Sequence, residues 1–189
     1  MKALAKIFGS PARLKTLRLF VFNRDTAFSM ADIVQRTKLS KEVARREITE
    51  LIGSGLIRKK GATVLTRYQT NASFEHLDAL DAFIRDTTNV SPKNIIAELR
   101  KAGSLRLVVL SGLFMNVLES QVDILIVGDR LDERALASVI RSLEAELGRE
   151  VRYAAFTTED FRYRFGVYDR LLRDVFDYPH RLLIDKIGL

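Results

Sequence analysis

Cysteine is absent from this 189-residue chain, histidine occurs only twice and proline three times, and no long apolar run is present. Without cysteine there is no disulfide framework and no Cys-based zinc site, and His76 and His180 alone cannot assemble a conventional structural zinc site. A membrane span needs ~20 apolar residues in succession, which the sequence nowhere approaches. The stretch Met1 to Gly9 is only briefly apolar and is broken by Lys2 and Lys6, so it does not read as a secretory leader. A cytoplasmic location, with no membrane association, is the expectation. Glycine and proline are too sparse for collagen-like or low-complexity sequence. Hydrophobic residues at 47% and charged residues at 29% are those of a chain that buries a core.

What is present is an uneven charge. Residues 1–88 hold 16 Lys and Arg against 9 Asp and Glu, whereas residues 89–189 hold 15 of each, so the whole net charge of +7 lies in the first half. A concentrated basic region attracts phosphates, on nucleic acid or on a membrane surface, and the arrangement of the basic residues must decide between them. The length suits two small domains better than one large one.

In the first half, Leu14, Leu17, Leu19, Phe20 and Val21 recur at helical spacing behind Ser10 as N-cap and Pro11 at the first helical position. Ser29 opens a second, short helix with Met30, Ile33 and Val34 on one face, ending near Thr37. After the tight turn Thr37 to Ser40, a third helix runs from Ser40 to Gly53. It has Ser40 as cap and a capping box weakened by Val43 at the position where Glu or Gln would sit. Val43, Ala44, Glu47, Ile48, Leu51 and Ile52 define its geometry, and the apolar residues among them face inward. Lys41, Glu42, Arg45 and Arg46, with Thr49 one turn later, are left on the opposite side. Residues 56–68 then read as two strands around a Gly61-Ala62 turn, carrying Arg58, Lys59, Lys60 and Arg67. An amphipathic helix follows from Phe74 to Asp86, with His76 as a surface residue. Its apolar stripe is to be covered by a partner subunit or by its own domain.

The order of these elements, with the segments "TKLSKEVARREITELIGSGLIRKKG" and "TRYQTN", resembles an ArsR/MarR-type winged helix-turn-helix regulator over roughly residues 10–86. The resemblance implies that the helix from Ser40 to Gly53 reads the major groove of double-stranded DNA through Ser40, Lys41, Arg45, Arg46 and Thr49. It implies that the hairpin is a wing whose Arg58, Lys59, Lys60 and Arg67 lie along the phosphate backbone, and that the helix after the wing pairs two subunits into a homodimer. Winged helices also serve as protein-interaction modules, and a basic helix face is often only a solvated surface.

Thr87 to Ser91 is polar, and Ser91-Pro92 starts a new helix, so a boundary is expected there. Beyond it the pattern is helix (Ile95, Ile96, Leu99), strand (Leu105 to Leu110), turn, strand (Val122 to Val127), helix (Asp132 to Leu147) and strand (Val151 to Phe156). Thr157 caps a further helix through Arg164, a short helical segment covers Tyr168 to Phe176, and a last strand spans Arg181 to Ile184. With "LRLVVLSGLFMN" and "SQVDILIVGDRLD" this half resembles the minimal nucleotidyltransferase domain of the polymerase-beta-like superfamily, over roughly residues 92–189. That resemblance implies a phosphate-binding Gly-Ser pair after the first strand, two aspartates one residue apart on the second, and often a third carboxylate on the next.

Here Gly112 keeps the glycine, but Leu113 stands at the serine position and Gln121 at the first aspartate. Only Asp123 of the pair remains, and the third strand offers Arg152 or Tyr153. Two metal ions on a triphosphate need several carboxylate oxygens, which a lone Asp123 does not supply. Asp129 and Asp132 read as a turn residue and a helix cap. Arg162, Arg164, Arg170, Arg173 and Arg181 alternate with aromatic residues as a nucleic-acid surface would, but interleaved acids neutralise them, so a salt-bridged surface over an aromatic core is expected.

The expected protein is therefore α+β: an N-terminal winged helix-turn-helix (residues 1–88) followed by a small nucleotidyltransferase-like α/β domain with a short mixed sheet (residues 89–189). The expected function is a DNA-binding transcriptional regulator with no catalytic residues, metal or cofactor. Gly112 and Asp123 would mark a vestigial nucleotide site, in a domain used for ligand binding, dimerisation or a protein partner. The alternatives are a divergent metal-dependent nucleotidyltransferase and an antitoxin-like partner protein.

Overall fold

The computed structural model describes residues 2–61, 66–88, 90–117 and 119–189, with the side chains of Lys2 and Ala3 left out. The protein is α+β, with two small sheets among the described residues, one of them mixed. It divides into two compact units. One comprises residues 1–90 together with 141–150, and the other residues 91–140 with 151–189.

The first unit opens with a short helix α1 (Lys2–Ile7) that the apolar spacing did not announce. Helix α2 (Pro11–Phe22) begins where Ser10 and Pro11 place it, the Ser10 hydroxyl accepting from the Arg13 amide. Helix α3 (Met30–Thr37) is capped by a complete capping box: Ser29 Oγ accepts from the Asp32 amide, and Asp32 accepts from the Ser29 amide at 2.8 Å. Lys38, left-handed at φ 55°, turns the chain into α4 (Lys41–Gly53). Strands β1 (Ile57–Lys60) and β2 (Arg67–Thr70) pair antiparallel, Lys60 opposite Arg67. Phe28 and Tyr68 exchange two 2.8 Å backbone hydrogen bonds, which fasten the hairpin to the start of α3. The Gly61-Ala62 turn of the sequence reading lies partly outside the described residues. The trailing helix α5 (Leu77–Thr87) starts later than Phe74 because Asn71 holds a turn, its Oδ1 accepting from the Ser73 amide and its carbonyl from Phe74.

One core joins these elements: Leu14, Leu17 and Phe20 of α2, Ile33 of α3, Ala44, Ile48 and Leu51 of α4, Ile57 of the hairpin and Ile84 of α5. The segment 141–150 belongs to this unit. Arg18, 1% exposed in the middle of α2, donates to the Glu146 carbonyl at 2.8 Å, and Asn23 Nδ2 donates to the Gly148 carbonyl at 2.8 Å. Burial pushes the Arg18 guanidinium pKa down, and the nearby Glu146 carboxylate opposes it.

The capping box makes a pH prediction. Hydrogen bonding from the Ser29 backbone, then from its side chain, holds the Asp32 carboxyl below its ordinary value. A depressed carboxyl stabilises the fold above the unfolded value of about 4, and that contribution is lost as pH falls through the lower folded value. In thermal melts followed by circular dichroism from pH 6 to about pH 2, Asp32→Asn is expected to start less stable by about 1 kcal/mol and to lose less on acidification. A parallel decline in both proteins contradicts this.

The second unit is built on a four-stranded sheet in the order β5-β4-β3-β6. Helix α6 (Pro92–Leu99) leads through the 3-10 turn Arg100–Ala102 into β3 (Ser104–Leu110), which pairs antiparallel with both β4 (Ile124–Asp129) and β6 (Arg181–Asp185). Strands β4 and β5 (Tyr153–Phe156) are parallel. They therefore need a crossover, which α7 (Glu133–Leu147) supplies. Helices α8 (Thr158–Gly166) and α9 (Arg170–Asp177) place Phe161, Leu172 and Val175 in one core with Leu107, Val109, Leu125 and Val127 of the sheet. The alternate residues Val108, Ile124 and Ile126 are fully buried as well, so β3 and β4 are covered on both faces. Asp132 caps α7 as its position predicts, accepting from the Arg134 and Ala135 amides. Asp129 is instead the last residue of β4, where it accepts from the Thr158 amide and from Arg106.

Candidate nucleic-acid interface

Helix α4 presents its charged residues outward because its other face is taken by the core. Ala44, Ile48 and Leu51 are buried, while Ser40, Lys41, Arg45, Arg46 and Thr49 are all exposed. Ser40 Oγ accepts from the Val43 amide at 3.3 Å and so caps the start of the helix, without a second bond from position 43. Thr49 Oγ1 is turned back onto the Arg45 carbonyl at 2.9 Å. Among the described residues neither Lys41 nor Arg45 has an ion pair. Arg46 reaches a carboxylate only at 3.7 Å.

That carboxylate is Glu47, 1% exposed on the inward face of the helix. It accepts from Arg13 Nε at 2.9 Å and from Ser10 Oγ at 3.2 Å, so the N-terminal turn of α2 grips the middle of α4. Arg13 also reaches Glu50 at 3.5 Å. A buried carboxylate is tolerated only when charged or polar donors satisfy it, and here the donors come from the N-cap and first turn of α2. The orientation of α4 is thus held by an ion pair as well as by apolar packing. Sequence reading set Glu47 among the residues that define the helix geometry but did not find its partner. The only local signal was an acid three residues from Ala44, on the apolar side.

The hairpin sorts its four basic residues. By register and strand alternation Arg58, Lys60 and Arg67 share one face and Lys59 lies on the other. Two of the four are already engaged: Arg67 donates to the Ala27 carbonyl at 3.0 Å and Lys60 to Gln69 Oε1 at 3.3 Å. Arg58 and Lys59 are exposed and have no ion pair among the described residues.

The other predicted pair, Gly112 and Asp123, also comes together. Ser111 follows β3, and a 3-10 turn Gly112–Met115 carries the chain over the start of β4. Gly112 has φ 46°, and a Cβ there would lie 2.3 Å from Asp123 Oδ1 and 2.9 Å from the Val122 carbonyl, so the position admits only glycine. Asp123, 1% exposed, accepts four hydrogen bonds: from the Leu113 amide at 2.7 Å, the Arg152 amide at 2.8 Å, Arg152 Nε at 3.1 Å and Arg152 Nη2 at 2.9 Å. Hydrogen bonding to Asp123 in turn raises the Arg152 pKa further. Asp123 is therefore the tie between the ends of β3, β4 and β5. Its donor set does not fit a divalent cation, because a guanidinium already occupies both oxygens and no group of three or more acidic, histidine or cysteine side chains that could hold a metal ion occurs among the described residues.

The chain matches no family model, curated protein or solved structure with which it was compared. No helix among the described residues is long and apolar enough to cross a membrane.

Proposed function

We propose that the protein is a transcriptional regulator that binds double-stranded DNA, its first unit acting as a winged helix-turn-helix and its second as a nucleotidyltransferase-like domain. The observation that carries this reading is α4: a capped, core-mounted helix whose exposed face offers Lys41, Arg45 and Arg46 beside Ser40 and Thr49. A helix of this kind enters the major groove with its N-terminal residues on base edges. The hairpin supplies the second element, with Arg58 and Lys59 available to phosphates and Arg67 and Lys60 stiffening the wing. Pairing of two copies is part of the reading. Ile7 is 74% exposed and Phe83 of α5 is 45% exposed, with the Phe8 and Phe83 rings 6.3 Å apart, a patch that a second copy covers. The guanidinium on Asp123 argues against nucleotidyl transfer as the activity.

Fragments selected from random DNA by the full chain, at a fixed salt concentration, supply the probe. The double variant Arg45→Ala with Arg46→Ala is expected to bind the selected fragment at least about tenfold more weakly and with a shallower salt dependence. Its circular dichroism spectrum is expected to match that of the parent. Unchanged affinity in a folded variant defeats the assignment of α4 as the reading helix.

A further inference from the structure

The second unit contains a groove along α9 that none of the interactions above uses. It consists of two adjoining pockets, of about 500 Å³ and about 640 Å³, which share Tyr168, Arg173 and Asp177 as lining. Both fall within the range of roughly 300–1,000 Å³ typical of small-molecule sites.

The smaller pocket is apolar and held open by interlocked rings. Phe165 and Phe176 meet edge to face at 5.6 Å and 84°, and Phe161 stacks on Phe165 at 5.6 Å from the core side. Leu172, 2% exposed, forms its floor, while Phe165 is still 45% exposed. The larger pocket is polar, and most of its charges are spoken for. Asp174 accepts from Ser120 Oγ at 3.0 Å and from the Gln121 amide at 2.7 Å, and Arg173 pairs with Asp177 at 3.4 Å. Two are not: Glu119 and Arg170 are exposed and have no ion pair or side-chain hydrogen bond among the described residues. One free anion and one free cation therefore line the same cavity.

Tyr168 stands where the pockets meet, and its backbone is the anomaly. At φ 54° it occupies the left-handed position that ends a helix, ordinarily a place for glycine, yet it carries an aromatic ring that is 80% exposed. The backbone there is strained while the ring gains nothing from burial in the isolated fold, a combination that points to a ligand.

We propose that this groove binds a small zwitterion carrying an aromatic or large apolar group, of the α-amino acid type. The side chain fills the pocket of Phe165, Leu172 and Phe176 beside Tyr168, the carboxylate pairs with Arg170 and the ammonium with Glu119. A simple anion would meet Glu119 and a simple cation would meet Arg170, so only a ligand with both charges satisfies the cavity.

The test is a titration of the isotope-labelled full chain, followed by amide chemical shifts. The ligands are L-phenylalanine and L-leucine, with 3-phenylpropionate and phenethylamine as single-charge analogues. Saturable shifts confined to residues 119–121 and 165–178 are expected, with L-phenylalanine bound at least fivefold more tightly than either analogue. Arg170→Ala should reduce L-phenylalanine to the affinity of phenethylamine while leaving phenethylamine unchanged. Tyr168→Gly should weaken every ligand without lowering the melting temperature, since it relieves the strained backbone. The proposal is overturned if neither amino acid gives saturable shifts in the groove, if an analogue binds as tightly as L-phenylalanine, or if Arg170→Ala leaves all affinities unchanged.

Discussion

Replacing Asp123 with alanine is expected to lower the stability of the second unit by about 2–6 kcal/mol, because two backbone amides lose their buried acceptor. The side chain of Asp123 is 2% exposed and satisfies the amides of Leu113 and Arg152 as well as the Arg152 guanidinium. Without it two backbone donors at converging strand ends lose their acceptor, each costing about 1–3 kcal/mol. Arg152→Ala leaves Asp123 both backbone donors and opens a half-exposed position to water, so it should cost less than Asp123→Ala. Urea unfolding of the two variants checks both the size and the order. A loss under about 1 kcal/mol for Asp123→Ala, or a larger loss for Arg152→Ala, would sink the view of Asp123 as the tie of this sheet.

Gly148→Ala is expected to cost the first unit about 3 kcal/mol or more, through backbone strain and overpacking together. Gly148 has φ 77°, and a Cβ there would sit 2.5 Å from Arg18 Cβ, 2.6 Å from the Arg18 carbonyl carbon and 2.8 Å from the Leu19 amide. Two of these atoms are backbone, so no rotamer change relieves the overlap. Helix α2 would have to move, and with it the Asn23 bond to the Gly148 carbonyl. Gly166→Ala is the control, because its Cβ would meet nothing within 4 Å and its backbone is helical. Equal unfolding midpoints for the two variants would contradict the close approach of Gly148 to α2.

Several elements were legible because their causes are local. Ser10, Ser29 and Ser40 each open a helix through a hydroxyl that accepts an amide three residues on, and such a bond is written in adjacent sequence. Even so, the acid completing the cap at Ser29 went unread, although Asp32 stands only three residues away. The exposed basic face of α4 followed from the periodicity of Ala44, Ile48 and Leu51, since covering one side of a helix leaves the other to water. The strained Tyr168 went unread because aromatic residues rarely take a left-handed backbone and nothing beside it demands one.

By itself, then, the sequence determined the order of helices and strands after α1, the capped starts at Ser10, Ser29 and Ser40, the confinement of net positive charge to the first half, and which side of α4 carries the basic residues. Tertiary structure alone decided the sheet order, the assignment of residues 141–150 to the first unit, and the fate of the buried charges. Arg13 meets Glu47 across 34 residues and Arg152 meets Asp123 across 29. A buried charge must find a partner wherever the folded chain brings one, and that partner is set by packing in three dimensions rather than by neighbours along the chain.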